Sequence, residues 1–326
     1  MKLLITIDVE EDNWGEYSPD RYTLKNLQKI PELQSLFNEF GIKPTYLINY
    51  PVATDPWAIE TFSGYLTQGK CEIGMHCHPW NTPPYDECIE ICEHNTMLCN
   101  LPEELQHLKL AFLHDVICKN FGIVPVSFRA GRWGFGPTVA RSLIRLGYSI
   151  DTTVTPYVSW NVFHGPDYSS FGNELFRFSA EGLSHKDEKG ALLEVPATVG
   201  FIQSNFRFCH FLMKAAENRF AGKLHLIGLL DRIRLLNKVW LSPELADANS
   251  MIKLAKRMHK NDYPCVNMTF HSTSLLAGLS PFVRTVEMEK RFFQKIREFL
   301  EFVHISGWES QTLAQFEGEL CRGGCL

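Results

Sequence analysis

The sequence predicts an α/β fold arranged as a TIM-like barrel, complete or partial, of seven or eight units. Short apolar runs recur along the 326 residues and are separated by segments of helical length. Strands that alternate with helices are parallel, because a parallel connection needs a crossover of a dozen or more residues. Most of the runs also end on a polar residue, and functional groups of such barrels gather at the C-terminal ends of the strands.

The predicted strands follow in chain order, most with a polar residue at the end. They are KLLITI before Asp8, PTYLI before Asn49, EIGM before His76, VPVSF before Arg129, GYSI before Asp151, LLEV with Glu194, CVNMTF before His271, and FVHIS near the C-terminus. Between them, LKNLQKIPELQSLFNEFG and PEELQHLKLAFLHDVICKNFG have helical patterns. Both end on glycine, which is common at the C-terminus of a helix.

The segment from about 206 to 260 interrupts this alternation. FCHFLMKAAENRF and KLHLIGLLDRIRLLNKVWL have the pattern of amphipathic helices. Their basic residues are Arg219, Lys223, Arg232, Arg234 and Lys238. We interpret the segment as a helical insertion or lid within one catalytic domain spanning 1–326, with an ordinary helical hairpin packed on the barrel as the alternative. Basic amphipathic helices bind anionic membranes, so peripheral membrane contact is a further hypothesis.

Composition and the first residues argue against several classes of protein. With 45% hydrophobic and 21% charged residues, the chain is expected to form a packed core, and a net charge of -5 argues against nucleic acid as a partner. The start lacks a signal-peptide pattern, and no run of about 18 apolar residues follows, so we expect a cytoplasmic protein without a spanning helix. There the ten cysteines are expected to be thiols, including Cys321 and Cys325, although their spacing resembles half a metal clip.

Two acidic residues close the first strand. Asp8 and Glu10 are two positions apart, and side chains i and i+2 of a strand face the same way. Both can therefore face one site while Val9 packs behind them. The alternative is a solvated acidic turn, because Glu11 and Asp12 follow directly.

A pair of histidines follows the third predicted strand. His76 and His78 flank Cys77, so the same alternation places both imidazoles on one face, where they can chelate one ion, and directs Cys77 away. Two His plus a carboxylate form a common catalytic metal set that leaves positions open for water and substrate. The alternative is a polar group satisfied locally at the strand end.

Three further polar residues follow later strands. Arg129 can hold a carboxylate in a fixed orientation through its planar guanidinium. Arg129 and Asp151 could equally be structural ion-pair partners. His271 follows NMTF, and an imidazole near neutrality can donate a proton to a leaving amine, or it can be a buried residue that caps a turn.

In this order the motifs resemble the polysaccharide deacetylase family of carbohydrate esterases, which share the NodB homology domain. The ordered set is an Asp at the first strand, a His pair, the F-R-x-G segment, an Asp after G-Y-x-x-D, and a late F-H-S. The chain looks closest to the branch with D-V-E and H-x-H-P-W motifs. The resemblance runs from Lys2 through the helix after Pro281, and it implies a distorted or partial (β/α)7 barrel.

The resemblance also implies a role for each matching residue. Asp8 is the general base, Arg129 orients it, His271 is the general acid, Asp151 supports that acid or the arginine, and Glu10, His76 and His78 are the metal ligands. Two departures bear on the ligand set. Val9 stands where the family has its second Asp, which moves the carboxylate ligand to Glu10, with Asp8 as the alternative. The two His are spaced two apart rather than four, with Trp80 at the usual second position.

These roles imply hydrolysis of an N-acetyl group on a carbohydrate with a divalent ion, Zn²⁺ before others. Backbone N–H groups around Arg132 and Trp133 would stabilise the oxyanion. The expected substrate is a cytoplasmic intermediate of surface polysaccharide synthesis, nucleotide-linked or lipid-linked. Trp14, Trp80 and Trp133 could stack on sugar rings or simply pack at the barrel mouth. Two alternatives remain: a hydrolase of small amides on the same scaffold, and a non-catalytic sugar-binding module.

Overall fold

A sheet of mainly parallel strands forms the centre of the protein in the computed structural model, which describes residues 1–220 and 237–323. The described strands are β1 Lys2–Val9, β2 Thr45–Ile48, β3 Glu72–Cys77, β4 Ser127–Ala130, β5 Ile150–Asp151, β6 Phe176–Phe178, β7 Leu192–Glu194, β8 Val199–Phe201, β9 Lys238–Trp240, β10 Cys265–His271 and β11 Glu309–Ser310. Nine of them form one sheet in the order β10-β1-β2-β3-β4-β5-β7-β6, with β11 beside β1, while β8 and β9 pair separately.

The strand pairing is that of a partial barrel. The pairings from β10 through β1, β2, β3, β4 and β5 to β7 are all parallel, and β6 runs antiparallel to β7. Among the described residues the sheet does not close by pairing of β7 with β10. Backbone groups fill this gap, because Thr198 N–H donates to Asn267 O at 3.1 Å and Thr269 N–H donates to Leu241 O at 3.1 Å. The predicted seven-stranded partial (β/α) barrel is confirmed.

Helices surround this sheet. The described α-helices are α1 Ile30–Glu39, α2 Tyr50–Thr54, α3 Pro56–Thr67, α4 Glu103–Phe121, α5 Pro137–Arg145, α6 Phe206–Phe220, α7 Ala248–Lys260, α8 Val286–Ile305 and α9 Leu313–Gly323. Both helices named from the sequence are present. The first begins only at Ile30, after a 3-10 turn, with Pro31 in its first turn, where the missing N–H is tolerated. The second ends at Gly122, whose left-handed φ of 66° suits glycine.

The prediction that FVHIS forms a strand is wrong. Residues 302–305 form the last turn of α8. Along this helix the buried apolar side chains recur every three or four residues, at Phe292, Ile296, Phe299 and Val303, and this period packs a helix against the sheet rather than a strand within it. The strand near the C-terminus is the two-residue β11.

Side-chain alternation gives the barrel interior three layers. Leu3, Ile5 and Ile7 of β1 face the helices, whereas the even-numbered residues face inward. At the lower end Leu4 packs in an apolar layer with Leu313 and Phe316 of α9. Above it, Thr6 donates to the Asn267 side chain at 2.9 Å. Asp8 forms the top layer, at the C-terminal ends of the strands, so the alternation places the acidic residues at the mouth.

The segment predicted as a helical insertion, 206–260, contains three described elements, α6, β9 and α7, so its described part is not helical throughout. Helix α6 is present, whereas α7 is part of the barrel wall, with Met251, Leu254 and Met258 buried in the main core. The second predicted amphipathic helix falls largely on 221–236, outside the described residues. No helix within 1–220 and 237–323 is long and apolar enough to cross a membrane. The nine described cysteines are free thiols, and Cys325 lies outside the described residues.

Candidate metal centre and active site

Three ligand atoms converge at the mouth of the barrel. His78 Nε2 lies 3.0 Å from His76 Nε2 and 3.2 Å from a Glu10 carboxylate oxygen, which is 3.6 Å from His76 Nε2. Ligands placed tetrahedrally ~2.05 Å from Zn²⁺ are about 3.3 Å from one another, so the triangle fits one face of such a site. In the part of the chain that the structure describes, this is the only group of His, Cys, Asp and Glu side chains arranged to hold an ion.

The hydrogen bonds of the two imidazoles fix which nitrogen is available. His76 Nδ1 lies 3.0 Å from the Arg129 carbonyl oxygen, and His78 Nδ1 lies 3.1 Å from Glu11 Oε1. A carbonyl oxygen and a carboxylate only accept, so each Nδ1 carries the hydrogen and donates it. Both Nε2 lone pairs therefore point at one place, beside the Glu10 carboxylate. A cation bound there would relieve the repulsion among these three acceptors.

Glu11 and Asp12 are buried, so the alternative of a solvated acidic turn is wrong. Glu11 is 6% exposed and Asp12 is 5% exposed. Glu11 accepts from Trp80 Nε1 at 2.9 Å and from the Asn49 side-chain amide, besides His78. Burial by itself lowers the pKa of His78, but the Glu11 and Glu10 carboxylates outweigh it and raise that pKa to about 10. The two carboxylates thus favour a positive charge beside His78 Nε2, which either a proton on that nitrogen or a metal ion in its place would supply.

Close packing of the backbone against His78 requires glycine after β4. A Cβ added at Gly131 would lie 2.6 Å from His78 Cδ2 and 2.6 Å from the Cys77 carbonyl oxygen. The residues after it, Arg132 and Trp133, adopt left-handed φ values of 51° and 62°. Such backbone strain in non-glycine residues persists where the surroundings fix it, and it is common at functional sites.

Arg129 holds Asp8 from inside the barrel. Its side chain is fully buried, and Nη1 donates to Asp8 Oδ1 at 2.6 Å and to Thr269 Oγ1 at 2.9 Å. Asp8 Oδ2 faces the mouth, 4.0 Å from His76 Nε2 and 3.7 Å from His271 Nε2. Burial raises the pKa of Asp8, but Arg129, His76 and His271 together bring it below its usual value. Asp8 is therefore an ionised carboxylate with one free oxygen.

His271 has a carboxylate partner that the sequence did not indicate. Glu244 accepts from its backbone N–H at 3.1 Å and lies 3.1 Å from its Nδ1. Burial lowers the pKa of His271, but Glu244 and Glu10 outweigh it and raise that pKa to about 9. The ring is thus an imidazolium at neutral pH. Trp14 packs edge-on against it, with centroids 4.7 Å apart.

Asp151 lies near these groups but contacts neither His271 nor Arg129 by a hydrogen bond in the described structure. It pairs in register with Glu194 across β5 and β7, and both carboxyl groups are fully buried. Burial raises the pKa of Asp151 to about 6 and raises that of Glu194 further, with Asp151 adding to the effect. Burial and the neighbouring Asp151 carboxyl thus favour the protonated form of Glu194. The role predicted for Asp151 stays a prediction.

The pocket above these groups has a volume of about 480 Å³ and largely aromatic walls. Trp133, Trp160 and Trp240 contact one another with centroids 6.1–6.4 Å apart. Trp80 lines the pocket too, but it stacks on the His78 ring at 4.1 Å, so packing accounts for its position. The sequence analysis did not identify four residues of the site: Glu11, Glu244, Trp160 and Trp240. No local sequence pattern indicates that Glu11 is buried or that residues 240–245 approach the mouth.

The fold and this centre define a partial-barrel protein with a candidate divalent-metal site, and solved structures share its fold. The chain superposes over 99% of its length on a candidate polysaccharide deacetylase from Mycobacterium smegmatis, at 15% identity, TM-score 0.56 and 91% of that chain. A candidate glycoside hydrolase/deacetylase from Parabacteroides distasonis matches at 13% identity and TM-score 0.55, covering 99% of this chain and 71% of that one.

The fold does not by itself select the reaction. A 4-alpha-glucanotransferase from Thermococcus litoralis also matches, at 11% identity and TM-score 0.54, over 98% of this chain and 40% of that one. Comparisons of the sequence with protein-family models and with curated proteins find no match. The chain has the fold of the polysaccharide deacetylases, and the reaction depends on the residues of the site.

Proposed function

We propose that the protein is a metal-dependent hydrolase that removes an N-acetyl group from a saccharide. The observation that carries this proposal is the convergence of two imidazole Nε2 atoms and the Glu10 carboxylate, within 3.0–3.6 Å of one another, at the mouth of the barrel. Glu10, His76 and His78 would hold the ion. When bound, a divalent ion such as Zn²⁺ supplies Lewis acidity and lowers the pKa of a water toward ~7.

The other groups of the site suit an acid and a base on either side of a scissile amide. Asp8 Oδ2 can accept a proton from an attacking water, while Arg129 keeps the carboxylate ionised and oriented through Oδ1. His271, whose pKa is raised, can donate its Nε2 proton to the departing nitrogen. Amide N–H groups around Arg132 and Trp133 remain our candidates for stabilising the oxyanion. The products would be acetate and an amino sugar.

A pocket of about 480 Å³ falls in the range of small-molecule sites, so we propose a short saccharide or a single terminal residue as the substrate. The aromatic rings of Trp133, Trp160 and Trp240 offer flat apolar surfaces of the kind that pack on sugar faces. Two of the matched proteins are a candidate polysaccharide deacetylase and a candidate glycoside hydrolase/deacetylase, which supports the carbohydrate class. A cytoplasmic glycan intermediate stays part of the proposal.

The aromatic lining also favours one competing function, hydrolysis of a small non-sugar amide. Trp133, Trp160, Trp240, Phe163 and Phe282 line the pocket together, and they would bind an apolar amide as readily as a sugar ring. Both reactions use the same metal, base and acid. The two proposed functions therefore differ only in the substrate that is hydrolysed.

Metal analysis followed by a substrate panel tests the proposal. The purified protein should contain about one divalent ion per chain and release acetate from N-acetylated mono- and oligosaccharides. His76→Ala should lose the metal and the activity together, because it removes a ligand. His114→Ala is a matched control: His114 lies on α4 and contacts Tyr148 and Cys118 instead of the site. Absence of any bound metal in the wild type, or activity in His76→Ala equal to that of the control, would contradict the proposal.

A further inference from the structure

We propose that Glu11 is a positioning residue of the metal centre, which orients His78 and supplies the second negative charge that a divalent ion needs. This inference rests on the metal site of the proposed function. The ligands Glu10, His76 and His78 are set by strand geometry, whereas Glu11 follows β1 and belongs to none of the roles that the resemblance implies.

Within the part of the chain that the structure describes, the hydrogen bonds of the Glu11 side chain are with the metal centre and its supports. Its two carboxylate oxygens lie 3.1 and 3.2 Å from His78 Nδ1. Trp80 Nε1 donates to Oε1 at 2.9 Å, and the Asn49 amide donates to Oε2. The stacked indole of Trp80 covers the face of the His78 ring at 4.1 Å and 29°. The ring is therefore held in its plane by the indole and in its rotation by the carboxylate.

The two imidazoles are held by different means. His76 donates to a backbone carbonyl, that of Arg129, at 3.0 Å, which is a neutral acceptor. His78 donates to the Glu11 carboxylate. An ionised acceptor makes the stronger hydrogen bond and raises the basicity of the opposite nitrogen, so His78 is expected to be the stronger donor to a metal.

A count of charges at the mouth identifies what Glu11 adds. Asp8 is paired with Arg129 at 2.6 Å, and Glu244 is paired with the His271 ring at 3.1 Å. The charges of Asp8 and Glu244 are therefore balanced by their partners. Glu10 and Glu11, which contact the ligand imidazoles, carry the two negative charges that remain. Two negative charges balance the charge of one divalent cation. A neutral residue at position 11 would balance only half of that charge.

The test is the affinity for Zn²⁺ alone, measured by competition with a chromophoric chelator on the full chain. Glu11→Gln keeps the size of the side chain but removes the charge and one acceptor oxygen. Loss of such a partner typically lowers metal affinity about 10–100-fold, so the dissociation constant should rise by that factor. Glu72→Gln is the matched control, since Glu72 is a partly buried carboxyl at the start of β3 that accepts hydrogen bonds from Ser127 and Thr45 and contacts no metal ligand. It should lower stability without changing the affinity.

The outcomes separate this inference from the proposed function. An unchanged Zn²⁺ affinity in folded Glu11→Gln overturns the role of Glu11 and leaves the metal site standing. A wild type that binds no divalent ion overturns the proposed function itself. If Glu11→Gln does not fold, ¹⁵N-histidine NMR of the zinc-loaded wild type decides: a protonated Nδ1 of His78 supports the inference, and coordination through Nδ1 refutes it.

Discussion

Replacement of Glu244 by Gln tests how the structure prepares His271 as the proton donor. Glu244 lies 3.1 Å from His271 Nδ1 and is the first of the charges that raise the pKa of that ring to about 9. The amide keeps the size of the side chain and an acceptor for the His271 backbone N–H, but it removes the negative charge. A charge at this distance typically shifts a pKa by ~1–3 units, so we expect the pKa of His271 to fall by about 1–2 units.

This shift has a calculable effect on the rate. At the pH where half of the wild-type imidazole is protonated, the variant would be protonated to about 1–9%, so its kcat/KM falls about 5- to 50-fold. Below pH ~6 both proteins are nearly fully protonated and the rates should agree within about twofold. The basic limb of the pH profile therefore moves to lower pH. The rates at the acidic end of the range stay level in both proteins, because the pKa of Asp8 lies below its usual value and Asp8 is ionised there.

The assay is acetate release from one N-acetylated substrate across pH 5–10, with the zinc content checked at each end. Asp247→Asn is the matched control, because Asp247 caps α7 by accepting from Ser250 N–H and does not touch His271. Equal basic limbs in Glu244→Gln and the wild type would refute the reasoning, since either Glu244 does not hold the imidazolium or His271 is not the acid. A uniform loss at every pH would indicate a displaced ring instead.

Three further predictions follow from the same geometry. Asp8→Asn should lower kcat/KM about 10²–10⁴-fold while the zinc content stays at wild-type level, because Asp8 Oδ2 is 4.0 Å from the nearest ligand nitrogen; loss of zinc in this variant would make Asp8 a ligand. In metal-free protein the raised pKa of His271 contributes its full stabilisation of the fold below pH ~6.5, and this contribution disappears as the pH rises through about 9. The difference in the free energy of unfolding between wild type and Glu244→Gln, measured in urea, should therefore shrink over that range. Glu194→Gln should change the free energy of unfolding at pH 7 by less than about 1 kcal/mol, because burial favours the protonated, neutral form of that carboxyl; a larger loss would mean that Glu194 is ionised in the wild type.

Local sequence patterns were sufficient to predict the sheet of the protein and the faces of its strands. The apolar runs and their spacing predicted seven or eight parallel strands, because alternation of strand and helix leaves few other arrangements, and seven of them are present. The same patterns placed Asp8 and Glu10 on one face of their strand, since side chains alternate along a strand. They likewise placed His76 and His78 on one face of theirs. FVHIS failed for a related reason: a short apolar run fits a strand or the turn of a helix equally well, and only the period of the surrounding residues decides.

Tertiary structure decided the partners of the site residues. Glu11 looked like part of a solvated turn, yet Asn49, Trp80 and His78 surround it and make it a buried, fully bonded carboxylate. Glu244 reaches His271 across 27 residues because the segment after β9 fills the gap between β7 and β10. The charge state and role of a polar side chain depend on neighbours brought from distant parts of the chain, so the sequence by itself determined which residues face the mouth, and only the folded barrel determined what each one contacts there.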